Sequence, residues 1–175
     1  RDCRRHAGGH AMSQSKTWLE VALNGAWTRR LQPGIPVSIN EIVADGVACV
    51  RAGAAIVHVH AYDAASGRQN DDADTYAAII EGIKAEVDAI VYPTFPVDNG
   101  GGSEAERAVR RYAAVEALAR RGLLDWAGVD PGSVNFASLR AVAADRAGSV
   151  YVNGDAEIRH GLDLAARHRV PVSFA

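Results

Sequence analysis

The sequence predicts an α/β fold built on a parallel sheet. Two observations carry that prediction. Short apolar runs alternate with helical patterns along the body of the chain, the mark of strands joined by helical crossovers. The runs are also nearly continuous in apolar residues, as strands buried on both faces are.

Residues 19–23 (LEVAL) form the first expected strand. Residues 39–51 follow as a helix, with Ser38 or Asn40 as its cap and Gly53 just past its end. Residues 54–60 (AAIVHVH) are too short for a helix and rich in β-branched side chains, so they read as the second strand. Residues 74–86 carry Tyr76, Ile79, Ile80 and Ile83 at helical spacing. A third strand is expected at 89–94. A long helix is expected at 103–121, opened by Ser103 with Glu106 three residues on, a capping box. Strands at 126–129 and 150–153 flank a short helix at 139–147. A helix at 157–168 leads into a sixth strand at 170–174.

Two architectures fit this order. An open, doubly wound sheet of five or six strands is complete at this length. A (β/α)8 TIM barrel typically takes about 250 residues. At roughly 27 residues per unit, eight units need about 215 residues plus loops, so the chain would cover only about the first five to six βα units. The apolar strand at 170–174, with nothing after it to cover it, raises the expectation that a barrel continues beyond it.

With 175 residues, one domain is expected. Hydrophobic residues at 48% and charged residues at 23% suit a globular protein. A net charge of −2 removes any charge-based argument for nucleic acid or an anionic membrane. Aromatic residues at 6% argue against a stacking platform for single strands. No apolar run approaches the ~20 residues of a membrane span. Two cysteines, Cys3 and Cys49, make no disulfide framework, which points to a reducing, cytoplasmic setting. Residues 1–15 read as a leader or appended tail, with Met12 as the expected native start and His6 and His10 as loose metal binders at most. Residues 16–175 then form the N-terminal two-thirds of a single barrel domain, if the barrel is the right architecture.

The strongest chemical signal is His58-Val59-His60. Alternate side chains on a strand share a face, so the two imidazoles point the same way, with Ala54 and Ile56, while Ala55, Val57 and Val59 face the helices. The C-terminal end of a parallel strand is where such folds build active sites. The spacing suits two nitrogen ligands of one Zn²⁺, which would want a third ligand and an open position. A pair of structural histidines fits the spacing too. Further polar residues fall at strand ends: Asn24, Tyr62, Asp63, Thr94, Asp130, Ser133, Asn135, Asn153 and Asp155. Each alone suits a turn; together they suggest a polar rim around one site. The Gly100–Gly102 run before a helix is either a connector or an anion cradle.

Several blocks, in order, resemble the β-keto acid cleavage enzymes: residues 21–26 (VALNGA), 36–42, 52–63 (AGAAIVHVHAYD), 67–72 with Tyr76, 92–94, 130–136 (DPGSVNF) and 152–153. The resemblance runs from about residue 16 to 175. It implies a (β/α)8 barrel, assembled as a homo-oligomer and often a tetramer, with His58 and His60 on a catalytic Zn²⁺. It implies a transferase that converts a small β-keto acid and acetyl-CoA into a new acyl-CoA and acetoacetate by acyl transfer and retro-Claisen C–C cleavage. The metal would serve as Lewis acid. Asn24, Trp27, Thr94 and Asp130 would bind substrate. The family's glutamate ligand, aspartate base and arginine have no counterpart by residue 175, so the base is expected beyond it, and turnover by these 175 residues alone is doubtful. Trp27 stands where the aminohexanoate-cleaving members carry a glutamate, which points either to a substrate uncharged or apolar at its far end or to a tryptophan that simply packs at the mouth. Tyr62 stands where many relatives have an arginine; nearby Arg68 is either its substitute or a solvated loop arginine. The alternatives are another metal-dependent TIM-barrel hydrolase or lyase, or a non-catalytic metal-binding domain.

Overall fold

The computed structural model describes residues 17–26, 29–98 and 100–174. Residues 1–15, expected to be a leader or appended tail, and Trp27 lie outside the described residues. Fifteen elements follow in order: β1 (Glu20–Ala22), α1 (Ile39–Arg51), β2 (Ile56–Val59), β3 (Tyr62–Asp63), β4 (Arg68–Gln69), α2 (Ala73–Lys84), β5 (Ile90–Pro93), α3 (Glu104–Arg111), α4 (Ala113–Arg120), β6 (Ala127–Val129), β7 (Val134–Phe136), α5 (Leu139–Ala143), β8 (Ser149–Tyr151), α6 (Asp155–His168) and β9 (Val172–Phe174).

The parallel sheet is present, in two pieces. One has the order β1-β2-β5 and the other pairs β6 with β9. The pieces meet where the Asp125 carboxylate accepts the Val91 N–H at 3.2 Å and the Tyr92 and Trp126 rings lie 6.3 Å apart. Neighbouring strands follow chain order, without the reversal that defines a doubly wound sheet. One core joins the sheet to its crossovers. Val57, Val59 and Val91 pack with Ile42 of α1, Ile79, Ile80 and Ile83 of α2, Leu118 of α4 and Leu164 of α6. His58 therefore faces away from the helices, as the period of two requires. No closed barrel forms among the described residues.

Local chemistry explains the helix ends. Ser38 caps α1, and Glu41 returns the bond to complete a capping box. Backbone donors from Ser38 and Val37, with Arg29, hold the Glu41 carboxyl at about 2. Gly53 takes φ +117 just past the helix, a conformation that suits glycine. Ser103 and Glu106 form the expected box at α3.

Two expectations need correction, and one feature was not expected. The long helix at 103–121 is two helices, broken at Tyr112 (φ −93, ψ 5). The break lets α3 lie on α6 while α4 lies on α2. Tyr112 packs against Phe95, with ring centroids 4.8 Å apart, and sits over Gly161, where a Cβ would meet its hydroxyl at 2.6 Å. The strand expected at 150–153 is not in the parallel sheet. It is β8, antiparallel to β7, a strand for which the apolar periodicity gives no signal. The helix between them, α5, has only five residues and buries none of them, so it cannot serve as a packed crossover. Gly148 instead brings the backbone back against the Phe136 carbonyl, where any Cβ would collide with the carbonyl oxygen. Finally, β3 and β4 form a small antiparallel ribbon, turned at Gly67 (φ +64), that periodicity alone did not reveal.

Candidate active site

His58 lies at the end of β2, level with Ala22 of β1 and Tyr92 of β5. Its ring sits 5.2 Å from that of His60, edge to face, and 4.7 Å from Tyr92. Burial and the neighbouring His60 push His58 down to about 4, partly offset by the Tyr92 backbone, so the imidazole is neutral at pH 7. Its Nδ1 is buried without a hydrogen-bond partner. Burial also lowers His60, against the opposing pull of Gln69 and Asp71.

The His60 tautomer follows from its neighbours. Asp71 accepts from Gln69 Nε2 at 2.8 Å, so the Gln69 amide oxygen faces His60 Nδ1 at 3.1 Å. Nδ1 then carries the proton and Nε2 keeps its lone pair, the arrangement in which an outer-shell partner orients a ligand imidazole. Sequence reasoning missed Gln69 and Asp71. Both lie within the block at 67–72, but only the β3–β4 ribbon, where Gln69 stands opposite Tyr62, brings them to the histidine.

Asn24 is buried and braces the end of β2. Its Oδ1 accepts the His60 N–H at 2.8 Å, and its Nδ2 donates to the carbonyls of His60 at 3.0 Å and Pro36 at 3.2 Å. Tyr62 is buried, and its hydroxyl donates to the Gly25 carbonyl. Arg68 is exposed on β4. Thr94 extends the β5 pairing by donating its N–H to the Val59 carbonyl at 3.0 Å.

A cavity of about 430 Å³ opens beside these residues, lined by His60, Gln69, Thr94, Asp130, Phe136 and Tyr151 among others. Three expected site residues, His60, Thr94 and Asp130, thus share one cavity. Asn24 and His58 are not on its wall. A larger cavity of about 630 Å³ lies at the opposite, N-terminal strand ends, between Trp18, Ala55, Ile90 and Trp126, away from both histidines.

The wall behind Asp130 is a buried polar network that the sequence did not reveal. Arg111 is 2% exposed. It donates to the Pro96 carbonyl at 2.8 Å, to Tyr151 Oη at 2.7 Å and to Asn153 Oδ1 at 3.0 Å, and it pairs with Glu157 at 3.2 Å. Tyr151 in turn donates to Asp130 Oδ2 at 2.6 Å. The available signal was an arginine on the apolar face shared with Ala108, Val115 and Leu118. The Gly100–Gly102 run is a connector. Asp98 takes the Gly100 N–H, Arg110 and Arg107 bind the carbonyls of Gly101 and Gly102, and Glu106 occupies the helix end.

Two adjacent neutral imidazoles, one with an orphaned nitrogen and one with a fixed tautomer, are chemically suited to a divalent cation. No group of three or more His, Cys, Asp or Glu side chains is arranged to hold a metal among the described residues. None of their helices is long and apolar enough to cross a membrane.

These features define a class: a parallel α/β chain whose polar site gathers at the C-terminal ends of its strands around a histidine pair. The chain belongs to the β-keto acid cleavage enzyme family, whose pattern matches residues 16–175. It is 32% identical over 129 residues to a 3-oxoadipate:acetyl-CoA acetyltransferase of Cupriavidus necator, covering 67% of this chain and 38% of that protein. It is 32% identical over 80 residues to a 3,5-dioxohexanoate:acetyl-CoA acetone transferase of Paraburkholderia graminis, covering 45% of this chain and 26% of that one. The chain thus spans less than two-fifths of the length of these relatives.

Proposed function

We propose that this chain is the histidine-bearing part of a zinc-dependent β-keto acid cleavage enzyme, converting a β-keto acid and acetyl-CoA into a new acyl-CoA and acetoacetate. The observation that carries the reading is the family match together with two neutral imidazoles at one strand end. The names of both relatives contain acetyl-CoA. The sequential order of the parallel strands supports a (β/α)8 barrel completed by further units.

His58 and His60 would hold the Zn²⁺, His60 through Nε2. The metal, when bound, supplies Lewis-acid polarisation of the keto acid. Gln69 and Asp71 keep the His60 ring in the ligating tautomer, and Asn24 fixes the backbone that carries it. Thr94 offers a hydroxyl to substrate from the cavity wall, where its own contact, to the Phe95 carbonyl, is long at 3.4 Å. Asp130 lines the same cavity. Proton abstraction and the third ligand are assigned to residues outside this chain. We infer a cytoplasmic homo-oligomer from the family resemblance and the sparse cysteines.

The test is metal analysis and an acetoacetate assay on the whole enzyme. About one zinc per protomer and acetyl-CoA-dependent acetoacetate release across a keto acid panel are expected, both lost in His58→Ala and His60→Ala. Full activity after exhaustive chelation would overturn the zinc assignment. Keto acid cleavage that ignores acetyl-CoA would overturn the transfer.

A further inference from the structure

One buried guanidinium bonds to several parts of the cavity wall at once. Arg111 does not line the cavity, but Phe95 and Tyr151 do. Its guanidinium carbon lies 4.9 Å from the centre of the Phe95 ring and 5.5 Å from that of Tyr151, within cation–π range of both. Each guanidinium nitrogen has its own partners. Nε donates to the Pro96 carbonyl, next in the chain to Phe95. Nη1 faces the Glu157 carboxylate. Nη2 donates to both Tyr151 Oη and Asn153 Oδ1. An arginine can only donate, so Tyr151 Oη accepts there and gives its own proton to Asp130 Oδ2. Asn153 carries the tie onward. Its N–H donates to Ser133 Oγ at 3.1 Å and its Nδ2 to the Gly132 carbonyl at 2.9 Å. The segment after β5, the segment after β6 and strand β8 thus share one anchor. Every bond in this set lies within the described residues, whatever else completes the cavity.

We propose that Arg111 is the positioning residue of the substrate cavity. It fixes the Phe95 and Tyr151 rings and, through the Tyr151 hydroxyl, the Asp130 carboxylate, so that this wall is already ordered when a keto acid enters. A wall ordered in advance removes that cost from binding. A lysine would keep the charge beside Glu157. Its single nitrogen cannot reach Pro96, Tyr151 and Asn153 in one planar fork. The bonds of Arg111 run to the wall and to Glu157, and none runs to His58 or His60 among the described residues. Its loss should therefore weaken substrate binding more than turnover. The inference rests on the keto acid reading of this site.

The experiment follows 3-oxohexanoate and acetyl-CoA, which would give butyryl-CoA and acetoacetate, or the fastest acid of the panel if that turns over better. The whole enzyme is compared with Arg111→Lys, Tyr151→Phe and the double variant. Arg111→Lys should raise KM for the keto acid on the order of 10-fold and leave kcat nearly unchanged. A merely structural role would do the reverse, since a smaller folded fraction lowers kcat and leaves KM alone. Tyr151→Phe keeps the Arg111–Glu157 pair and should raise KM in the same way, which decides the matter even if the lysine variant does not fold. The double variant should fall well short of the product of the two factors, because both substitutions break one chain of bonds. An unmoved KM in Tyr151→Phe, or factors that multiply in full, overturns the proposal. A second arm needs no turnover. In the folded single variants the Asn153 amide should exchange faster while the amides of β2 keep their rates. Uniform quickening, or none, overturns the anchoring. If no acid of the panel yields acetoacetate, the cleavage reading fails instead, and amide exchange still decides whether Arg111 holds the wall.

Discussion

His58 has a neutral ring because its charged form has lost water and gained no counter-ion. Its value falls from 6.5 in the unfolded chain to about 4 in the fold. Below 6.5 the unfolded state binds a proton that the folded state refuses, so metal-free protein should lose stability as pH drops from about 6.5 towards 4. The loss from this residue should reach roughly 3 kcal/mol. Urea titrations across that range check it, and His58→Ala should flatten the dependence. A curve just as steep in the variant would remove His58 as its source. Asn24 invites a second test. Asn24→Ala strands the His60 N–H and two carbonyls at a part-buried strand end, and should cost roughly 2 kcal/mol or more. Amide exchange at His60 should quicken in the same variant.

At the level of elements, the α3–α4 break and the close approach of α6 are one feature. Gly161 leaves room for Tyr112, so Gly161→Ala should force the ring aside and destabilise by about 1–3 kcal/mol. Thermal unfolding reads this directly, and a neutral result would mean that α6 shifts freely. The Arg111–Glu157 pair joins α3 to α6 in the same region. Arg111→Met alone leaves Glu157 charged and nearly buried, and should cost about 3–5 kcal/mol. Adding Glu157→Leu should recover part of that loss, since the expense lies in the unpaired charge. Additive losses in the double variant would refute this account. The cap of α1 is simpler: Ser38→Ala should cost about 1 kcal/mol.

For the whole molecule, sheet edges are the informative feature. β1 pairs only with β2, and β9 only with β6, among the described residues. A completed barrel would cover both outer edges. Backbone amides of β1 and β9 should therefore exchange more slowly in the whole enzyme than in the 175-residue chain. Equal rates in the two proteins would count against the barrel.

The sequence by itself determined what depends on near neighbours. The strands of the parallel sheet and most helix positions follow from periods of 2 and 3.6, and the caps at Ser38 and Ser103 from side chains within three residues of the backbone they serve. The shared face of His58 and His60 follows from the pleat alone. Tertiary structure decided which distant groups meet. Asn24 reaches His60 across 36 residues, and Arg111 reaches Asn153 across 42. The β7–β8 pairing needed Gly148 to close on Phe136, and the tautomer of His60 needed a ribbon to deliver Gln69. No local period encodes such encounters. They depend on which surfaces are brought together when the core packs, and the polarity of the site is settled there.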